Sequence, residues 1–290
     1  MKILREIIVL GFIGVLGTAP SAAQANLDGV TIRLRQASGS VYMADGVNGF
    51  GGGNVAASVG PDGILLVDDM YKAMVPKLQH ALAGVSSLPI RIVINTHFHG
   101  DHIQGNSVLG STATVIGHEN TLKRLSAGAT PPPFPMVTFK DAITVRFNGE
   151  NIFIRHLPNS HTDGDAIVFF ETSKVLHLGD LFFVGMFPAV YREGGGDIKQ
   201  LIVSLDRVLA EYPAETKVIP GHGELATMDD LRRYTTMLKE TVAAVETGLR
   251  QNKAPEDLRQ DPAITKYAAL GEGGAQTLAQ YVDMLVKLLR

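Results

Sequence analysis

The chain has 290 residues, 45% of them hydrophobic, which is enough to bury a sizeable core without cross-links. A formal net charge of −3 supplies no basic field to gather nucleic acid, so no nucleic-acid partner is expected. There is no cysteine, which excludes disulfides, thiolate metal ligands and thiol nucleophiles.

At the N-terminus, Lys2 and Arg5 precede the apolar run Ile7–Leu16, and the small-residue stretch Ala19-Pro-Ser-Ala-Ala-Gln-Ala25 follows. A charged start, an apolar middle and an A-x-A-like site at Ala23-Gln24-Ala25 read as a signal peptide over residues 1–25. The run is short for a membrane span, although an uncleaved anchor helix is the alternative. Residues 26–290 are then expected as a single domain in the periplasm or outside the cell. No other segment is apolar enough to span a membrane, so no stable insertion is expected after cleavage.

Short β-rich segments come next, at Val30–Arg35, Val41–Ala44, Val55–Val59 and Ile64–Val67. Gly and Asn clusters separate them, as in an antiparallel meander. Met70–Leu82 has helical spacing, and Ile90–Asn95 is a nearly continuous apolar run that suits a buried strand. Strands are predicted again at Thr112–Ile116, Ala142–Phe147, Asn151–Leu157, Ala166–Phe170 and Lys174–Leu178. Helices follow at Ile198–Tyr212, Met228–Arg250 and Thr277–Leu289. Two half-domains, each a sheet covered by helices on one face, predict a four-layer αβ/βα sandwich. Pro131-Pro-Pro-Phe-Pro135 reads as the connection between the halves.

The densest chemistry follows the Ile90–Asn95 strand, at Thr96-His97-Phe98-His99-Gly100-Asp101-His102. Imidazole nitrogen and carboxylate oxygen are what zinc takes when thiolate is absent. Alternation points His97 and His99 the same way, and Gly100 permits a turn that carries Asp101 and His102 towards a second ion. Asp101 has another reading, as a carboxylate that only orients a histidine.

His-x-His-x-Asp-His after a buried strand resembles the signature of the metallo-β-lactamase superfamily. Ser160-His161-Thr162-Asp163-Gly164-Asp165 resembles its third-histidine motif, Leu178-Gly179-Asp180-Leu181-Phe182 its bridging-aspartate motif, and Pro220-Gly221-His222-Gly223 its last-histidine motif. The resemblance implies the metallo-β-lactamase fold and two zinc ions per chain. His97, His99 and His161 would hold the first, Asp101, His102 and His222 the second, and Asp180 would bridge them. Coordination positions left open mark a catalytic site. The implied reaction is attack by a metal-activated hydroxide on an ester, thioester, lactone or amide of a small molecule, with Asp101, His102 and Asp180 closest to the chemistry.

Within that family, cysteine-bearing zinc β-lactamases put a thiolate where Asp180 stands, and those with a His102-type second site usually lack a bridging aspartate. The resemblance therefore leans towards the broader dinuclear hydrolases, whereas an exported location leans towards β-lactams. Two alternatives from other classes stand beside these. A mononuclear-iron sulfur dioxygenase would leave His102 and His222 unexplained, and a non-catalytic exported metal-binding protein is the non-enzyme alternative. The oligomeric state is left open.

Weaker signals remain. Asn48-Gly-Phe-Gly-Gly-Gly-Asn54 lacks the Lys-Ser/Thr ending of a phosphate loop, and reads either as a flap over the metals with Phe50 at its tip or as a plain hairpin turn. Tyr191–Asp197 reads as a substrate loop or a connector. His80, His118, His156 and His177 match no ligand motif. Thr96, Thr162, Asp163 and Asp165 are read as supports of the ligands or as ordinary turn residues.

Overall fold

Period-two alternation builds two sheets here, and the computed structural model describes them over residues 27–127 and 134–290. The signal-peptide reading of residues 1–25 falls outside the described residues. The first sheet runs β1 (Thr31–Ser38), β2 (Val41–Val47), β3 (Val55–Gly60), β4 (Gly63–Val67), β5 (Ile90–Ile94), β6 (Thr114–His118) and β7 (Val137–Phe139), in spatial as in chain order. Its first four strands are antiparallel and β4 to β7 are parallel. The parallel steps need crossovers. These are α1 (Val75–Ala83), the short α2 (Gly100–Ile103) and α3 (Asn106–Leu109), and α4 (Glu119–Ser126).

The second sheet holds β8 (Ala142–Phe147), β9 (Glu150–His156), β10 (Ala166–Phe170), β11 (Val175–His177), β12 (Lys217–Ile219) and β13 (Ala226–Thr227), ordered β13-β12-β11-β10-β9-β8. α5 (Ile198–Glu211) makes the crossover between the parallel pair β11 and β12. α6 (Met228–Arg250), α7 (Pro255–Leu258), α8 (Pro262–Thr265) and α9 (Leu278–Leu289) complete the chain. Reciprocal capping boxes, Thr227 with Asp230 and Thr277 with Gln280, start α6 and α9.

Alternation sorts the core into three layers of contact. Leu65, Val67 and Ile94 of the first sheet meet Ile152, Val168 and Phe170 of the second between the sheets. Leu66 and Val93 face the other way, onto Val75, Leu78 and Leu82 of α1. Ile167 and Leu176 pack on α5, α6 and α9 through Leu205, Leu238 and Leu285. This is the four-layer αβ/βα sandwich.

Three expectations shift. Met70 has φ +62°, so the helix predicted from Met70 starts only after a 3-10 turn at Lys72–Met74. The change of sheet falls at Lys140–Asp141, not at the proline run, because β7 beyond Pro135 still pairs with β6. Pro131 to Pro133 lie outside the described residues. The very short β7, β12 and β13 and the helix α4 were not predicted.

Candidate metal centre

The ends of four strands from both sheets converge on one edge of the sandwich. β5 runs out into Asn95, Thr96 and His97, all buried. His99 has extended backbone and forms the N-cap of α2, whose single turn carries Asp101 and His102 around. The reversal expected of Gly100 is thus made by a helical turn, and Gly100 has no positive φ. From the second sheet, the loop before β10 supplies His161, a turn after β11 supplies Asp180, and the loop after β12 supplies His222.

The seven candidate residues lie together as two clusters, His97, His99, His161 and Asp180 beside Asp101, His102 and His222. Within each cluster the potential ligand atoms lie within 4.8 Å of one another. Asp180 faces both. Its Oδ2 is 3.3 Å from His161 Nε2 and 3.8 Å from His97 Nε2. Its Oδ1 is 3.1 Å from His102 Nε2 and 3.2 Å from His222 Nε2. Asp101 Oδ2 stands 3.4 Å from His222 Nε2 and 3.6 Å from His102 Nε2.

Neighbouring groups choose which nitrogen each ring presents. Thr96 Oγ1 donates to Asp68 at 2.8 Å, so at 3.0 Å it accepts from His97 Nδ1 and leaves Nε2 facing the cluster. His161 Nδ1 donates to the Ala189 carbonyl at 2.6 Å. His102 Nδ1 donates to Asp68 Oδ2 at 2.7 Å. In each case the outer partner at Nδ1 turns Nε2 towards the cluster, the atom a neutral ring offers to a cation. His99 presents Nδ1, 3.1 Å from His97 Nε2 and 2.9 Å from His161 Nε2.

Close packing then locks the carboxylate. Gly179 sits at φ +51°, and a Cβ there would come within 2.7 Å of Thr96 Oγ1. A Cβ on Gly221 would lie 2.0 Å from Asp180 Oδ1. His177 does not reach the cluster. It accepts from Gly179 N and its Nε2 faces the Asn54 carbonyl, so it holds the turn that carries Asp180. Asn54 in turn donates to the carbonyls of Pro220 and Gly223, on both sides of His222.

The electrostatics suit cations. Burial pushes the His97 and His99 imidazoles down and lowers His161 to about 3, so these rings stay neutral and can donate lone pairs. Burial also opposes charge on His102, but Asp180, Asp101 and Asp68 outweigh it and raise that imidazole well above its usual value. Burial likewise works against ionised Asp180, yet His222, His102 and His161 hold its carboxyl well below the usual range. Asp180 Oδ1 is buried without a well-formed hydrogen bond. An orphaned carboxylate oxygen among imidazoles is what a bound cation satisfies. The donor set therefore fits metal, with N and O ligands of the kind zinc takes.

The supporting residues also separate. Asp165 accepts from the backbone N–H groups of His161 and Thr162 and from Thr162 Oγ1, and burial raises its carboxyl to about 7. Asp163 pairs instead with Arg124, whose guanidinium lies over Phe98. Phe50 leans over the second cluster, its ring 5.4 Å from that of His222. Tyr191 lines the same cavity, while Asp197 caps α5. His80 is exposed on α1, and His118 and His156 stack on each other away from the clusters. Sequence reading missed Asp68, Asn54 and the ion network of Arg33, Arg35, Asp45 and Glu224. Asp68 directly follows the buried strand β4, with φ +63°, and its partners Thr96 and His102 lie far along the chain.

The cavity over the clusters measures about 740 Å³, and Phe50, Phe183, Met186 and Tyr191 are among the residues that line it. Among the described residues, no helix is long and apolar enough to cross a membrane.

Comparison with known proteins agrees with this geometry. A family model described as the metallo-beta-lactamase superfamily matches residues 49–222. A hydroxyacylglutathione hydrolase of Methylococcus capsulatus is 30% identical over 209 residues, covering 66% of this chain and 77% of its own. A type 2 metallo-beta-lactamase of Bacteroides fragilis is 27% identical over 131 residues, covering 45% and 52% respectively. Among solved structures, a metallo-beta-lactamase from Pontibacter korlensis superposes with a TM-score of 0.62 at 19% identity, covering 72% of this chain and 99% of its own, which speaks to the fold alone. With a matched region that spans every candidate ligand, the chain belongs to the metallo-beta-lactamase superfamily and is a hydrolase of that kind.

Proposed function

We propose that the protein is a dinuclear zinc hydrolase that cleaves an ester, thioester, lactone or amide bond of a small molecule. One observation carries the reading: the two oxygens of Asp180 each face a different histidine cluster. His97, His99 and His161 would hold one zinc, Asp101, His102 and His222 the other, with Asp180 shared. Bound there, the ions would supply Lewis acidity, polarising a carbonyl and bringing water towards a pKa of about 7. The chain's own residues do the rest. Burial keeps His97, His99 and His161 neutral, Asp68, Thr96 and the Ala189 carbonyl fix the orientation of His102, His97 and His161, and Asp101, part-exposed in the cavity wall, can accept a hydrogen bond from water.

The relatives' names support two branches. Hydroxyacylglutathione hydrolase points to a thioester, and metallo-beta-lactamase to a β-lactam as the second reading. The mononuclear-iron alternative leaves the second cluster without a role, and the non-catalytic one leaves the cavity without one. Export is part of the proposal, resting on residues 1–25, and N-terminal sequencing of the recovered protein should read from Asn26. The central test is elemental analysis with a panel of ester, thioester, lactone and chromogenic β-lactam. Two zinc ions per chain and turnover of an acyl substrate are expected. One tightly bound iron, with no second metal on titration, overturns the reading.

A further inference from the structure

The cavity wall above the metal clusters has an unusual charge arrangement. Among the described residues lining it, Arg33 is the one permanent cation. It is already engaged. Arg33 Nη2 donates to Asp45 Oδ2 and to Glu224 Oε1, each at 2.6 Å, and Nε donates to Asp45 Oδ1 at 3.3 Å. Arg35 donates to the same two carboxylates, 3.2 Å from Asp45 and closer to Glu224. Asp45 and Glu224 line the cavity as well, so the guanidinium reaches it already ringed by acid groups. Apolar and aromatic side chains also line the cavity. Phe50 is 51% exposed and Tyr191 47% exposed, and Phe183 and Met186 line the same cavity.

Resting on the hydrolase reading above, we infer that this site selects acyl substrates whose arm beyond the scissile bond is uncharged and apolar, and discriminates against arms that end in a carboxylate. An anionic arm at this wall lies beside Asp45 and Glu224 and competes with them for Arg33, and like charges so placed oppose binding. An apolar arm asks nothing of the charged groups and covers the exposed Phe50 and Tyr191 rings, which favours its burial.

The test compares p-nitrophenyl valerate with mono-p-nitrophenyl glutarate on the zinc-loaded protein, two esters of equal arm length that differ at the tip. The kcat/KM for valerate is expected to exceed that for glutarate by about 10-fold or more, and Glu224→Ala, which frees one face of Arg33, should shrink that ratio several-fold. Calorimetric titration with the products valerate and glutarate gives the same comparison without turnover, since each can place a carboxylate at the metals and glutarate keeps a second at its tip. Valerate should bind more tightly. If neither ester is cleaved, the acyl-hydrolase reading fails while product binding still decides the charge preference. Equal binding, or tighter binding of glutarate, overturns the inference, as does a ratio unmoved by Glu224→Ala.

Discussion

Asp68 Oδ2 lies 2.7 Å from His102 Nδ1, and through Thr96 the same carboxylate also reaches His97. One buried side chain at the end of β4 therefore sets the ring orientation in both clusters. Asp68→Asn should leave the fold intact yet lower zinc affinity by roughly 10–100-fold, the usual cost of losing such an outer partner. Competition with a chromogenic chelator measures it. Unchanged affinity for both ions would show that the two rings are held by packing alone.

Gly221 and Asp180 offer a steric test. A methyl group at Gly221 would meet Asp180 Oδ1 at 2.0 Å and the Gly179 carbonyl carbon at 2.7 Å. Gly221→Ala should displace the carboxylate and cost about 1–3 kcal/mol of stability as overpacking. Bound zinc and thermal midpoint should both fall. Gly29→Ala, where a Cβ meets nothing within 4 Å, should change neither.

Removing the charge of Asp180 tests its sharing directly. Asp180→Asn keeps the shape and should release at least one zinc, with turnover down by roughly 10²-fold, about 2.7 kcal/mol of activation free energy. Chelation of the wild type should lower its melting temperature, because binding to a site absent from the unfolded chain contributes folding free energy. A melting temperature indifferent to chelator would mean that the clusters hold no structural metal.

A pH effect should arise away from the metals, at His118 and His156, stacked 3.7 Å apart. His118 Nδ1 accepts from Asn120 N as the cap of α4, while Nε2 donates to the Lys140 carbonyl. Burial lowers both imidazoles, and for His118 the neighbouring His156 adds to it, while nearby carboxylates pull the other way. The folded chain then binds fewer protons than the unfolded one. The stability at stake is complete above the unfolded value near 6.5 and is lost as the pH falls below it. His118→Asn keeps a capping acceptor and removes one titration. Its melting temperature should fall less steeply than the wild type's between pH 7 and 5 at saturating zinc. Parallel slopes would assign the acid sensitivity elsewhere.

Which parts of this were legible in the sequence follows from range. The seven clustered residues announce themselves through side-chain type and short spacing, as in His97-Phe98-His99-Gly100-Asp101-His102. Ala142–Phe147, Ala166–Phe170 and Met228–Arg250 read correctly because their periodicity runs for several residues. β12 and β13 are too brief to show a period. Asp68 and Asn54 carry no local mark, since their partners lie far along the chain and meet them only when strand ends come side by side. Glu224 is likewise an ordinary surface acid until β1 brings Arg33 and Arg35 to it.

The change of sheet at Lys140–Asp141 gives the clusters a mechanical meaning. His97 and His99 stand before it and His161 and Asp180 after it, while Asp101 and His102 stand before it and His222 after it. Neither half owns a complete set of donors. An ion seated in either cluster would be held by residues from both sides of the seam and would clasp one layer pair to the other. Two fragments severed at that junction would each be left with an open hand, and metal would be the fastening that makes them one body again.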